Sequence, residues 1–430
     1  MTITYPQSQQ KAWAKAIAKP APEFDLTPLP VLSGKIPEGL QGSFYCNGPA
    51  RLERGAEKVG HWFDGDGAIL GVNFTPAGAQ AIYRYVKTSG YLAEAAAGKF
   101  LYGNYGMTFP RPIWNYWQRL LTNNDILKNA ANTSVLALPD KLLALWEGGN
   151  PHALDLQTLE TIGLDNLGAL APKQPYSAHP QQDPHSGEIY SIGVDDKSTL
   201  NLYRSDRTGK IVQTGAIKLN DLAFLHSFVL AGEYLIFFLP PLKLNLLPLM
   251  LGLSSYCDAM QWQGNQGTWI LVVDRETLEV VSRGETEPWF QWHFGNGCVE
   301  ADGSVRLDLV RFSDFSPTNE YLREIPTGQT HTPACGTLWQ VRLNPQTSKI
   351  ITMQEVVNRS CEFPIVQPQQ VGQPWRYTYF CLHSQSAEIG KEWFSSIARF
   401  DYQTNTLTEA NVGENRYVVE PIYAADALNR

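Results

Sequence analysis

The chain has 430 residues, 43% of them hydrophobic and 18% charged, with a formal net charge of −8. That composition suits a large soluble globule with a substantial core. It excludes nucleic acid as the main partner, because phosphate binding needs a basic stripe that the sequence lacks. Six cysteines (Cys46, Cys257, Cys298, Cys335, Cys361 and Cys381) form no CxxC pair and no zinc-type spacing. They read as reduced, mostly buried thiols of a cytoplasmic protein.

The N-terminal stretch MTITYPQSQQKAWAKAIAKP has no continuous apolar run and is not a secretory signal. Lys11 and Lys15 share one helical face and Trp13 and Ile17 the other, so residues 1–22 are expected to form an arm with a short docking helix. From about residue 40 onward, short β-branched and aromatic runs follow one another. In chain order they include AIYRYV, KLLALW, EIYSIGV, TLNLYR, YLIFFL, TWILVVD, VRLDLVRF, TLWQVRL, RYTYFCL and SIARFDY. Hairpin signals such as SDRTGK, EADGSV and DYQTNT separate several of them. With no linker in sight, residues 23–430 read as one all-β domain, and the length favours a propeller over a sandwich.

Two segments break the pattern. IWNYWQRLLTNNDILKNAAN, from Ile113, reads as a helix with one apolar face. The stretch from Leu239 to Leu253 is greasy, but Pro240, Pro241, Pro248 and Lys243 interrupt it, so it does not span a membrane. Near the end, RYVVEPIY looks like a further β run.

Of eight histidines, three lie in β-rich or apolar surroundings: His179 in YSAHPQQD, His226 in LAFLHSFVL and His293 in WFQWHFGNG. No local motif joins them, so only the fold can bring them together. Singly, each is as readily a half-buried imidazole with satisfied hydrogen bonds. Together they offer three neutral imidazoles, the commonest metal ligand. Three glutamates also sit among apolar neighbours: Glu147 in LLALWEGGNP, Glu362 in RSCEFPIVQP and Glu420 in YVVEPIY. A carboxylate in such a place is costly unless paired, and metal-bound histidines commonly pass their second N–H to one.

At these residues the sequence resembles the carotenoid cleavage oxygenase family, most of all its cyanobacterial apocarotenoid-cleaving branch. The resemblance runs through GSFYCNGPARLE, HWFDGDGAILGV, LLALWEGGNPHALD, TIGLDNLG, YSAHP and CEFPIVQPQQVGQPWRYTYF. It implies a seven-bladed β-propeller with a cap of loops and helices over one end. It also implies Fe(II) held on the axis by histidines, here His179, His226 and His293, with Glu147, Glu362 and Glu420 behind them. The reaction implied is cleavage of a conjugated double bond of an apocarotenoid or carotenoid by O2, giving two carbonyl products, one of them retinal in the branch resembled.

Departures from the family pattern are visible as well. The family's R-N-G-P block reads Cys46-Asn47-Gly48-Pro49, and Ser227 stands where an aspartate is usual. The family's fourth histidine belongs to an apolar segment beyond the E-P-I block, and here no histidine follows His383. The expectation is therefore an incomplete last blade and an impaired 430-residue chain. The alternative is an inactive homologue that binds an apocarotenoid or a membrane without catalysis. A three-histidine zinc hydrolase is a further reading. Because a carotenoid substrate is insoluble in water, the stretch from Leu239 to Leu253 and the helix bearing Trp114 and Trp117 are expected to touch a membrane from one side.

Overall fold

The computed structural model describes residues 11–110, 113–121 and 125–428. Residues 1–10 of the expected arm lie outside that range. Each of the ten β runs from AIYRYV to SIARFDY is a strand, three of them to the residue, Tyr234–Leu239, Thr268–Asp274 and Val305–Phe312. The three hairpin signals sit where expected, joining Thr199–Ser205 to Ile211–Lys218, Phe290–Val299 to Val305–Phe312, and Ser396–Asp401 to Thr406–Asn411.

The strands form four four-stranded sheets, one eight-stranded sheet and two short two-stranded ribbons. The larger sheets are built mainly from antiparallel neighbours in sequence, the arrangement of propeller blades. The eight-stranded sheet is two such four-stranded units, fused where Ala231 and Gly297 pair in parallel. Gly297 is required there, since a Cβ would fall 2.4 Å from a methyl of Val229 and 2.9 Å from the Ala231 Cβ.

The core lies between facing sheets rather than within any one of them. Tyr190, Leu200 and Leu202 of one sheet meet Phe228, Leu235 and Phe237 of the next. Farther round, Phe290, Val310 and Leu338 meet Phe380, Leu382 and Ala398. Exposure grows outward along each unit: Val229–Ala231 is wholly buried, whereas Thr406–Asn411, at an outer edge, is wholly exposed.

Two expectations need correction. The helix at Ile113–Leu121 is shorter than its sequence run. Residues 125–132 instead turn back beside Gly103, with Lys128 N–H donating to its carbonyl and Ala131 at a left-handed φ of 45°. The RYVVEPIY run pairs in no strand: Val418 N–H binds Phe394 O, Val419 O accepts from the Cys381 thiol, and Pro421 brings no N–H for a ladder. The cysteines divide four buried (Cys257, Cys298, Cys361, Cys381), one half-buried (Cys46) and one exposed (Cys335).

The docking helix is present as Ala12–Ala16. Trp13 is buried, stacks on Trp393 at 5.0 Å between ring centroids, and donates its indole N–H to Lys391 O at 3.1 Å, while Lys11 pairs with Glu392. The greasy stretch resolves into a short strand, Leu242–Leu244, and a five-residue helix, Leu246–Met250. Among the described residues no helix is long and apolar enough to cross a membrane.

Candidate metal centre

The inner ends of successive sheets bring distant parts of the chain together. His179 lies just before the inner strand Gln181–Gln182, His226 just before Val229–Ala231, and His293 within Phe290–Val299. Their ligating nitrogens all lie within 4.8 Å of one another. His226 Nε2 and His293 Nε2 are 3.2 Å apart, and His179 Nε2 is buried with no partner. The rings pack edge to face, with centroids 4.5–4.9 Å apart.

Two of the three glutamates stand behind these rings. Glu147, in the turn after Leu142–Leu145, contacts His226 Nδ1. Glu362 Oε2 lies 2.7 Å from His293 Nδ1 and also accepts from Phe363 N–H. That aim depends on a local irregularity: the register of Cys361–Ile365 shifts between Glu362 and Ile365, and Phe363 adopts φ 58°. A bulge of this kind turns a side chain out of the regular alternation, and left-handed non-glycine residues concentrate at functional sites.

Glu420 differs from the other two. It keeps an exposed side chain, yet lies near enough to His293 and Glu362 to interact with both through charge. Its position is on the rim of the cluster, in the irregular segment after Thr406–Asn411.

Charge and burial set the protonation states. Burial, with repulsion from the neighbouring imidazoles, holds His179 and His226 well below the ordinary histidine value. For His293 burial acts the same way, but the charge and hydrogen bond of Glu362 outweigh it and raise the value. Burial pushes Glu147 up to about 8. Neutral imidazole is the form that ligates metal. The unpartnered Nε2 of His179, the facing Nε2 atoms of His226 and His293, and the carboxylates on their Nδ1 atoms fit a cation of the imidazole-preferring class, such as Fe(II) or Zn(II).

An aromatic wall surrounds the cluster. Trp292 packs edge-on against His226 at 5.0 Å, and Phe363 lies 4.9 Å from His293. Phe63 and Phe224 extend the wall by edge contacts to Trp292 at 5.6 and 5.7 Å. Tyr105 and Tyr256 interact with Glu147 through charge. None of these aromatics stood out in sequence as a site residue. Trp292 had a signal, being next to His293, whereas Phe363 had none, because a bulge is not encoded by hydrophobic alternation.

Comparison with known proteins gives a consistent result. The profile of the family described as RPE65, retinal pigment epithelial membrane protein, matches residues 17–429. Apocarotenoid-15,15'-oxygenase of Synechocystis sp. is 35% identical over 412 residues, covering 91% of this chain and 80% of that protein. Isoeugenol monooxygenase of Pseudomonas putida is 27% identical over 366 residues, covering 83% and 72%. The crystal structure of cobalt-substituted Synechocystis ACO superposes with a TM-score of 0.83 at 32% identity, covering 96% of this chain and 88% of that one.

Proposed function

Because the chain belongs to the RPE65 family of carotenoid oxygenases, we propose that it cleaves a conjugated double bond of an apocarotenoid or carotenoid with O2, using Fe(II) at His179, His226 and His293. The observation that carries this reading is the convergence of three imidazoles whose Nε2 atoms face one another, that of His179 with no hydrogen-bond partner. Bound Fe(II) would supply the redox chemistry that lets ground-state O2 react with a closed-shell alkene. Glu147 and Glu362 fix the rings of His226 and His293 with Nδ1 outward and Nε2 inward. Trp292, Phe224 and Phe363 keep the neighbourhood apolar, which excludes water and suits a polyene. Glu420 belongs to the same carboxylate set, at its rim.

The finer architecture forms part of the proposal: residues 23–430 belong to a seven-bladed propeller, preceded by the arm of residues 1–22. The reading is tested by reconstituting the protein with Fe(II) and mixing it with an apocarotenal. The polyene absorption should fade only when O2 is admitted, and two carbonyl products should appear. Fading without O2, or fading equally without metal, would sink the oxygenase reading. Tight binding with no turnover in the iron-loaded protein would select the inactive homologue.

A peripheral location on a membrane, from the cytoplasmic side, follows from the same reading. Trp114 and Leu121, at 71% and 83% exposed, lie on the helix Ile113–Leu121, and Leu247, Met250 and Leu253 are exposed on the neighbouring stretch. The hydroxyl of Tyr116 donates to Met250 O at 2.9 Å, so the two segments form one apolar face. Burying a large side chain is worth about 1.5–3 kcal/mol. The double variant Trp114→Ser, Leu247→Ser should therefore bind phospholipid vesicles at least about tenfold more weakly in flotation. Equal flotation of variant and wild type would reject the membrane contact.

A further inference from the structure

The aromatic wall creates a difficulty for the metal. A hydrated divalent cation does not cross apolar surroundings without a steep desolvation cost, so a passage suited to a polyene is unsuited to iron. A separate cavity lies away from the histidines. Of about 640 Å3, it is lined by Cys257, Asp258, Asn319, Glu320 and Arg323 among others, and none of the three histidines borders it. Arg323 is paired with Asp258 on its rim, which leaves Glu320 as the uncompensated charge there.

Behind this cavity lie His61 and Asp64, from the HWFDGDG block, 0% and 1% exposed. His61 Nδ1 accepts from Phe63 N–H at 3.1 Å, so its proton is on Nε2, and that atom is buried without a partner. Asp64 Oδ1 accepts from Gly106 N–H at 2.8 Å, while its Oδ2 is buried without a partner, as is the hydroxyl of Tyr105. Buried polar atoms are nearly always paired, so three orphans in one place call for an account. Gly106 lets the chain seat itself on this pair: a Cβ there would lie 2.3 Å from His61 Cβ and 3.0 Å from Asp64 Oδ2.

Contacts link the cavity to Tyr105, and electrostatics link Tyr105 to the site. Cys257 N–H donates to Tyr105 O at 2.8 Å, and Asp64 acts on the Cys257 thiol through charge. The ring of Tyr105 lies 4.7 Å from His61 and 5.7 Å from Tyr256. Both tyrosines feel Glu147, which contacts His226. We propose that this row (Glu320, Cys257, Asp64 with His61, Tyr105, Glu147) is the path by which the divalent cation reaches the three histidines, separate from the apolar approach of the organic substrate. The proposal rests on the iron reading above. Every step along the row offers an oxygen, nitrogen or sulfur donor in place of lost water. Burial pushes Asp64 up to about 7, outweighing the backbone N–H of Gly106 and the charge of Lys128, which act the other way.

The test is the rate of metal uptake rather than turnover. Metal-free protein is mixed with Co(II), whose absorption reports arrival at the imidazoles, and the final stoichiometry is measured separately. Asp64→Asn keeps the shape and removes the charge. It should load about tenfold more slowly, the lower end of what a focusing charge does for association, yet reach the same final occupancy as wild type. Glu320→Gln, on the surface and harmless to folding, should slow loading in the same direction. Unchanged rates in both variants would overturn the path while leaving the metal site standing. Wild type that takes up no more Co(II) than His226→Ala would overturn the metal site and the path together.

Discussion

His226→Ala is expected to abolish iron retention, with less than about a tenth of wild-type metal surviving gel filtration. His226 lies at the centre of the arrangement: its Nε2 is 3.2 Å from that of His293, its ring packs against His179 at 4.5 Å, and its Nδ1 meets Glu147. Removing it leaves two imidazoles, too few for firm binding, and also leaves the half-buried Glu147 carboxyl with no imidazole. Glu362→Gln keeps every ligand and removes only the charge behind His293, so the expected loss in affinity is milder, about 10–100-fold. The measurement is iron content by elemental analysis after dialysis against a graded chelator series. Full iron content in the His226 variant would refute the assignment of the site.

The second large effect concerns stability. Arg54, Asp66, Glu94 and Lys128 form a closed ring of two cations and two anions, all nearly inaccessible to water. Lys128 Nζ lies 2.8 Å from Asp66 and 2.9 Å from Glu94, and Arg54 reaches the same pair at 2.7 and 3.2 Å. Lys128→Met preserves the stem and leaves two buried carboxylates sharing one guanidinium. Breaking a buried set in this way costs about 3–5 kcal/mol. The comparison is Lys141→Met, whose pair with Asp165 is partly solvated and should cost no more than about 1 kcal/mol. Urea unfolding followed by tryptophan fluorescence measures both, and similar midpoints for the two variants would reject the prediction. The ring also bears on the site. The loop it anchors presents Asn132, whose side-chain N–H groups donate to Phe63 O and Gly65 O and so hold the aromatic wall from behind.

Much of the blade architecture was legible because inner and middle strands announce themselves: TWILVVD and VRLDLVRF are apolar, β-branched and bounded by turn residues. The three histidines and Glu362 were legible through the blocks around them, and their convergence depends on inner strands that no local motif reveals. What escaped the sequence has a common physical origin. RYVVEPIY has strand composition but Pro421 and side-chain contacts divert its backbone groups. The run from Ile113 has helical periodicity, but residues 125–132 are claimed by Gly103 and by the buried ring around Lys128. Phe363 takes a backbone conformation that nothing in its side chain favours. In each case tertiary contacts outweigh local preference.

The fusion of two sheets through Ala231 and Gly297 gives the donor triangle unequal mechanics. His226 enters the strand Val229–Ala231 and His293 lies within the adjoining strand of the same hydrogen-bonded sheet, so the edge between them is the stiffer one. His179 leads into a different sheet, tied to the first by side chains (apolar packing, the Arg275–Asp183 pair and a Gln213–Glu276 hydrogen bond), and the two edges that meet at it are more compliant. Ions of different radius would then be accommodated by displacement of His179 with the other two imidazoles fixed. Crystal structures loaded with cobalt and with the larger cadmium would display this as a shift confined to that one ring, and equal shifts of all three would contradict it.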